Sequence, residues 1–231
     1  MTDEWVEWHR GYEPGRPLVE RLKVVQERIR EALDRAPPGP IRVLSACAGD
    51  GRDLLGALTD HPRAPDVRAR LVERSSELAS AARKRAADAG LVGVEVVEGD
   101  AAITDVYAGI APAQLVLFCG VFGNVTDADV HFTVDHLPEL CADGATVVWT
   151  RGRFAPDLTP AIRRWFADAG FSELSFVSIP GTTMAVGAHR LARSPVPFRS
   201  GVRLFTFLPY AERPSTRAKS RAGSTDPSAP G

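Results

Sequence analysis

Residues 41–55, Ile41-Arg42-Val43-Leu44-Ser45-Ala46-Cys47-Ala48-Gly49-Asp50-Gly51-Arg52-Asp53-Leu54-Leu55, constrain the fold more than any other stretch of this chain. A short run of β-branched and aliphatic residues leads into a turn of small residues, and a helix starts near Arg52. Gly49 and Gly51 lack Cβ atoms, so the backbone can turn sharply there and a ligand can lie directly against it. The helix behind presents free N–H groups at its start. Parallel α/β proteins hold nucleotide-like ligands in this way, at the carboxyl end of the first strand.

The details narrow the ligand. A dinucleotide site carries G-x-G-x-x-G, but Gly49-Asp50-Gly51 is followed by Arg52, Asp53 and Leu54, so the third glycine is missing. A phosphate loop needs a Lys after its last glycine, and none follows. Asp50 also sets a carboxylate where a pyrophosphate would lie. The loop therefore suits a ligand that is not a polyanion.

Further strands follow in order. Arg70-Leu71-Val72 ends at Glu73, which lies 24 residues after Gly49, one βαβ step. An acidic residue at the end of the second strand is placed to accept from both hydroxyls of a ribose. Val94-Glu95-Val96-Val97-Glu98 ends in Gly99-Asp100, suited to an adenine amino group. Gln114-Leu115-Val116-Leu117-Phe118 opens through Cys119 and Gly120 into a glycine-rich loop, and Ala145-Thr146-Val147-Val148-Trp149 is a fifth strand.

With these residues in this order, residues 41–190 resemble the class I S-adenosylmethionine-dependent methyltransferases. The first-strand loop of that family reads V-L-D-x-G-x-G-x-G; here Ser45 stands in place of the acid and Cys47 in place of the first glycine. The segment Pro160-Ala161-Ile162-Arg163-Arg164-Trp165-Phe166-Ala167-Asp168-Ala169-Gly170-Phe171 is similar to the family's last helix, which commonly ends in Ala-Gly-Phe. The resemblance implies a doubly wound, Rossmann-like α/β fold: a mostly parallel seven-stranded sheet with an antiparallel edge hairpin and helices on both faces. It implies S-adenosyl-L-methionine as cofactor. Ala48, Gly49 and Gly51 would contact its methionine part, Glu73 its ribose, and Asp100 with Ala101 its adenine. Cys119 and Gly120 would lie beside the methionine part and the acceptor.

Composition agrees with a single well-buried domain. The chain has 231 residues, 44% hydrophobic and 25% charged, with 28 basic and 29 acidic residues for a formal charge of −1. That balance argues against a nucleic-acid binder, which would show a basic stripe. No apolar run is long enough to span a membrane, and the acidic Met1-Thr2-Asp3-Glu4 does not begin a signal peptide, so the expected location is cytoplasmic. Cys47, Cys119 and Cys141 match no zinc spacing; no metal site is expected, and the thiols read as small buried apolar groups.

The expected organisation has three parts. Residues 1–40 form an aromatic lead-in (Trp5, Trp8, His9, Tyr12) and a helix beginning at Pro17, with Leu18, Leu22, Val25, Ile29 and Leu33 on its inward face; this part is a candidate lid or substrate cap. Residues 41–210 form the cofactor-binding domain. Residues 211–231 are poor in apolar side chains and expected to be a disordered tail. Within the domain, residues 75–89 and 127–142 read as helices, the second with Val130, Val134, Leu137 and Cys141 inward and Gly144 beyond its end. Thr159 is expected to cap the last long helix. Residues 173–179, 184–191 and 202–208 all read as strands, and either of the last two can be the seventh.

The acceptor is not written in the fold. Phe118-Cys119-Gly120-Val121-Phe122 lacks the Asn/Asp-Pro-Pro-aromatic motif of amino-methylating nucleic-acid enzymes. Cys119 is a poor ligand for the hard cation of catechol-type enzymes, and no acidic group stands near the fourth strand to bind a polyamine. A small-molecule acceptor is the remaining expectation, with the oligomeric state open. Methyl transfer from a sulfonium needs alignment and exclusion of water, and a general base only for an un-ionised hydroxyl or a protonated amine. Of the five histidines (His9, His61, His131, His136, His189), His9 with Tyr12 in the lead-in are the candidate catalytic groups. His131 and His136, five residues apart, face different sides of their helix and make no paired metal site. Two alternatives remain: a non-catalytic cofactor-binding partner or sensor, and an NAD-dependent oxidoreductase.

Overall fold

In the computed structural model, which describes residues 17–214, seven strands form one sheet. They are β1 (Ile41–Ala46), β2 (Val67–Glu73), β3 (Val94–Glu98), β4 (Ala113–Phe118), β5 (Cys141–Gly152), β6 (Phe171–Ser178) and β7 (Met184–Leu191). The helices are α1 (Pro17–Arg35), α2 (Arg52–Leu58), α3 (Ser76–Asp88), α4 (Asp127–Leu140) and α5 (Thr159–Asp168).

The sheet order is β3-β2-β1-β4-β5-β7-β6. Strands β1 to β5 run parallel, while β7 pairs antiparallel with both β5 and β6. The expected edge hairpin is thus β6–β7, and the seventh strand is the segment Met184–Leu191. Chain order reverses between β1 and β4, so the loops leaving these two strands diverge and open a crevice at their carboxyl ends.

Alternation along the strands splits the core into two layers. Leu44, Val116, Phe118, Val147 and Trp149 point to one face, under Val130 and Val134 of α4 and Ile162 and Phe166 of α5. Val43, Leu71, Leu115, Leu117 and Val148 point to the other, under α1, α2 and α3. Helix α1 follows the predicted stripe through Leu18, Val25, Ile29 and Leu33, all buried. Leu22 is only half-buried, and Arg21 takes the inward position one helical turn before Val25.

Three local expectations change. The segment 202–208 is extended and buries Leu204 and Phe205, but it is not a strand of the sheet. Its backbone bonds go to loops instead: Leu204 N–H to Ala102 O and Leu208 N–H to Asn124 O, both at 2.8 Å. With β7 already between β5 and β6, the segment crosses the loops after β3 and β4 as a strap, touching Ile103 and Val125. Helix α4 stops at Leu140 rather than residue 142, because Cys141 is already extended and pairs with Ala113 at the start of a twelve-residue β5. Thr159 does not cap α5; it is the first helical residue, and Asp157 Oδ1 accepts from its N–H (2.9 Å) and its hydroxyl (2.8 Å). No described helix is long and apolar enough to cross a membrane.

Candidate functional site

The loop after β1 is built from left-handed backbone, with φ of 52° at Cys47, 58° at Gly49 and 74° at Gly51. Ala48 N–H extends the ladder to Val72 O (2.9 Å), and Gly51 N–H closes the turn on Ala48 O (2.9 Å). A Cβ on Gly51 would lie 2.8 Å from Leu55 Cδ1 and 2.9 Å from Leu71 Cδ2, so a larger residue would have to displace these buried leucine tips besides adopting a left-handed φ. The next turn begins at once, with Leu55 N–H bonded to Gly51 O.

Glu73 joins this loop to the second strand. Its Oε2 accepts from Gly49 N–H and its Oε1 from Ser75 N–H, each at 2.8 Å. The residue is 9% exposed. A carboxylate offers about four lone-pair sites, so two remain for hydroxyl donors, as the diol expectation requires. Glu73 O also accepts from Gly99 N–H (3.0 Å), which sets the end of β3 beside it. There Asp100 Oδ1 accepts from Ala102 N–H (3.0 Å) and Oδ2 pairs with Arg203 of the strap (3.2 Å). Ala101 is buried, and its carbonyl accepts from the buried Tyr107 hydroxyl (2.7 Å), which fixes the loop from beneath.

Across the crevice, Cys119 and Gly120 leave β4. Gly120 N–H donates to Thr150 Oγ1 (2.8 Å), and Gly120 O accepts from Asn124. The Cys119 thiol lies close to the Asp53 carboxylate at the start of α2. Burial pushes the thiols of Cys47 and Cys119 well up from their ordinary value, with carboxylates nearby adding to the effect, so neither is a ready nucleophile. The two pack toward opposite faces of the sheet, Cys47 on the α4–α5 side and Cys119 on the α1–α2 side.

The structure therefore brings Ala48, Gly49, Gly51 and Glu73 into one bonded unit, with Asp100 and Ala101 on one flank and Cys119 and Gly120 on the other. Asp50 does not present a bare charge at the loop. Arg52 grips it with two bonds (2.8 and 2.6 Å) and Arg85 adds a third (3.0 Å). The argument against a polyanion thus rests on the missing Lys and third glycine alone. His9 and Tyr12 lie outside the described residues, as do Trp5, Trp8 and the tail from residue 215.

Of the other histidines, His61 is buried 3.4 Å from Asp34, His131 stacks on Trp165, and His136 bonds to Phe132 O. His189 is buried among Trp149 and Phe166. Three participants escaped the sequence reading. Arg21 looked like one more polar residue between apolar helix positions, Asp53 like a first-turn acid, and Arg203 like a strand residue. Only the register of α1 against the loop after β1 could have singled out the first two.

Seven strands in this order, with the last inserted antiparallel, form the Rossmann-like fold of S-adenosylmethionine-dependent methyltransferases. Among solved structures the chain is similar to an O-methyltransferase family protein from Burkholderia thailandensis, with TM-score 0.59 and 20% identity over 76% of this chain and 55% of that one. It is similar to magnesium protoporphyrin IX methyltransferase from Synechocystis PCC 6803 with bound cofactor, with TM-score 0.60 and 15% identity over 79% and 88%. The carbon methyltransferase CurJ gives TM-score 0.59 and 16% identity over 74% and 54%. The chain thus spans about half the length of the first and third of these. No family model and no curated protein sequence matches the chain.

Proposed function

We propose that this protein is an S-adenosylmethionine-dependent methyltransferase acting on a small-molecule acceptor. The observation that carries the reading is Glu73: a nearly buried carboxylate at the end of β2, fixed by the N–H groups of Gly49 and Ser75, with acceptor capacity left for a ribose diol. The residues present fit the cofactor. Gly49 and Gly51 let the ligand approach the backbone, Asp100 and Ala101 stand where an adenine would lie, and Asp53 Oδ1 is a buried acceptor without a hydrogen-bond partner.

When bound, the cofactor supplies an electrophilic methyl group on a sulfonium with a good leaving group. The chain's own work is to hold that group, align the acceptor against it and keep water out. The loop Cys119–Gly120, braced by Thr150 and Asn124, forms the wall beside the transfer point. Phe118, Phe122 and Phe205 pack behind it as an apolar shield. His9 and Tyr12, outside the described residues, are the groups to test for a proton-transfer role. Neighbouring folds act on oxygen, on carbon and on a magnesium porphyrin, so the atom methylated is left open. Unpaired thiols throughout fit a cytoplasmic setting. An NAD-dependent oxidoreductase fits less well, because its sheet would run 3-2-1-4-5-6 without the inserted antiparallel strand.

The test is thermal unfolding with S-adenosylmethionine, S-adenosylhomocysteine or NAD in parallel. Ligand at about a hundred times its Kd adds about 2.7 kcal/mol, which for this size raises the midpoint by about 5–10 °C. A shift with the two adenosyl sulfur compounds alone is expected, to be followed by an acceptor screen; a shift with NAD alone overturns the reading.

A further inference from the structure

Several carboxylates stand around the ends of β1, β2 and β3, and three of them already hold donors through both oxygens. Glu73 holds the N–H groups of Gly49 and Ser75, Asp50 holds Arg52 and Arg85, and Asp100 holds Ala102 N–H and Arg203. Asp53 differs. Its Oδ1 is buried with no hydrogen-bond partner, while the residue as a whole keeps part of its surface open. A carboxylate oxygen left in this condition is unfavourable until a donor reaches it. Burial accordingly pushes its pKa up, although Arg21 from α1 and the Cys119 thiol pull it back.

Position identifies the donor. Glu73 and Asp100 mark the β2–β3 side of the strand ends as the nucleoside side. Asp53 lies on the other side of the β1 loop, in contact with Cys119 at the end of β4, where the chain order reverses. A ligand whose nucleoside lies on β2 and β3 directs its far end to this point. For an adenosyl sulfonium cofactor the far end is an amino acid, which carries an ammonium. Ser45 and Cys47, at the end of β1, supply no negative charge to meet it.

We propose that Asp53 is the residue that receives the ammonium of the cofactor's amino-acid end, with Oδ1 as acceptor. This rests on the methyltransferase reading above. It makes Asp53 a residue that distinguishes the complete cofactor from its nucleoside fragment.

The experiment is calorimetric titration of the full chain and its Asp53→Asn and Asp53→Ser variants. The two ligands are S-adenosylhomocysteine and 5′-methylthioadenosine, which shares the nucleoside and the sulfur but lacks the amino acid. Both variants are expected to bind S-adenosylhomocysteine about tenfold more weakly or worse and methylthioadenosine as the parent does. Unchanged affinity for both ligands, or an equal loss of both, overturns the assignment, the second because it marks a purely structural role. Failure of the parent chain to bind either compound overturns the methyltransferase reading itself.

Discussion

Replacing Glu73 by Gln separates the two jobs its carboxylate performs. In the native side chain both oxygens accept backbone N–H groups, from Gly49 and Ser75, at 2.8 Å each. Glutamine keeps one acceptor oxygen and turns an NH2 group toward the other N–H, so one charge-assisted bond becomes a donor–donor contact. Bonds of this kind contribute about 1.5–3 kcal/mol, and with the residue only 9% exposed, water compensates little. A loss of about 2 kcal/mol lowers the midpoint of a chain of this length by about 4–8 °C. Cofactor binding should suffer separately, because the remaining acceptor sites are those proposed for a ribose diol: about a 10- to 100-fold weaker Kd for S-adenosylhomocysteine. A 2′-deoxy analogue isolates that second effect, since the parent should discriminate against it and the variant much less. Thermal unfolding and calorimetry read the two quantities. A Glu73→Gln protein that melts within about 1 °C of the parent and binds S-adenosylhomocysteine with the parent's Kd would refute the reasoning.

Gly51→Val forces a β-branched residue into φ 74° with its Cβ 2.8 Å from Leu55, so urea unfolding should show a loss of about 2–5 kcal/mol from strain and overpacking; a loss under about 1 kcal/mol argues against the packing described. Phe205→Ala, in a strap outside the sheet yet 1% exposed and edge-on to Phe118, should cost about 3–5 kcal/mol; a near-neutral result would mean the strap is not part of the core. His189 is held neutral: burial lowers its pKa to about 4, against an opposing pull from Glu173 and with a further push from Arg163. A histidine lowered from about 6.5 in the unfolded chain contributes stability that is full above that value and drains away as pH falls toward 4. Between pH 7 and pH 5 the parent should lose about 2 kcal/mol from this group, and His189→Phe should lack that component; identical pH slopes in urea unfolding would refute it.

What was legible in the sequence was whatever short-range chemistry enforces. The strand–turn–helix at 41–55 announced itself because glycine takes φ of 58° and 74° without the Cβ penalty other residues meet, and Glu73 followed from one βαβ step. Those constraints sit inside or between neighbouring elements, so spacing alone carries them. The three misplacements have a different origin. Val202 to Leu208 is rich in apolar and aromatic residues like a strand and is indeed extended, but whether such a segment joins a sheet depends on which edges are free, and β7 had taken the place. The helix ending at Leu140 and the start of α5 at Thr159 turned on one or two residues whose partners, Ala113 for Cys141 and Asp157 for the Thr159 hydroxyl, compete with local propensity. Arg21 and Asp53 were hidden for the same reason. A charged residue on an apolar helical stripe and an acid in a first turn are ordinary alone, and they acquire meaning only when α1 packs across the start of α2. The residues proposed to hold the nucleoside lie on successive strand ends and can be read in order. The part assigned to the amino-acid end is assembled from helices on one face, and so must be read from the packed molecule.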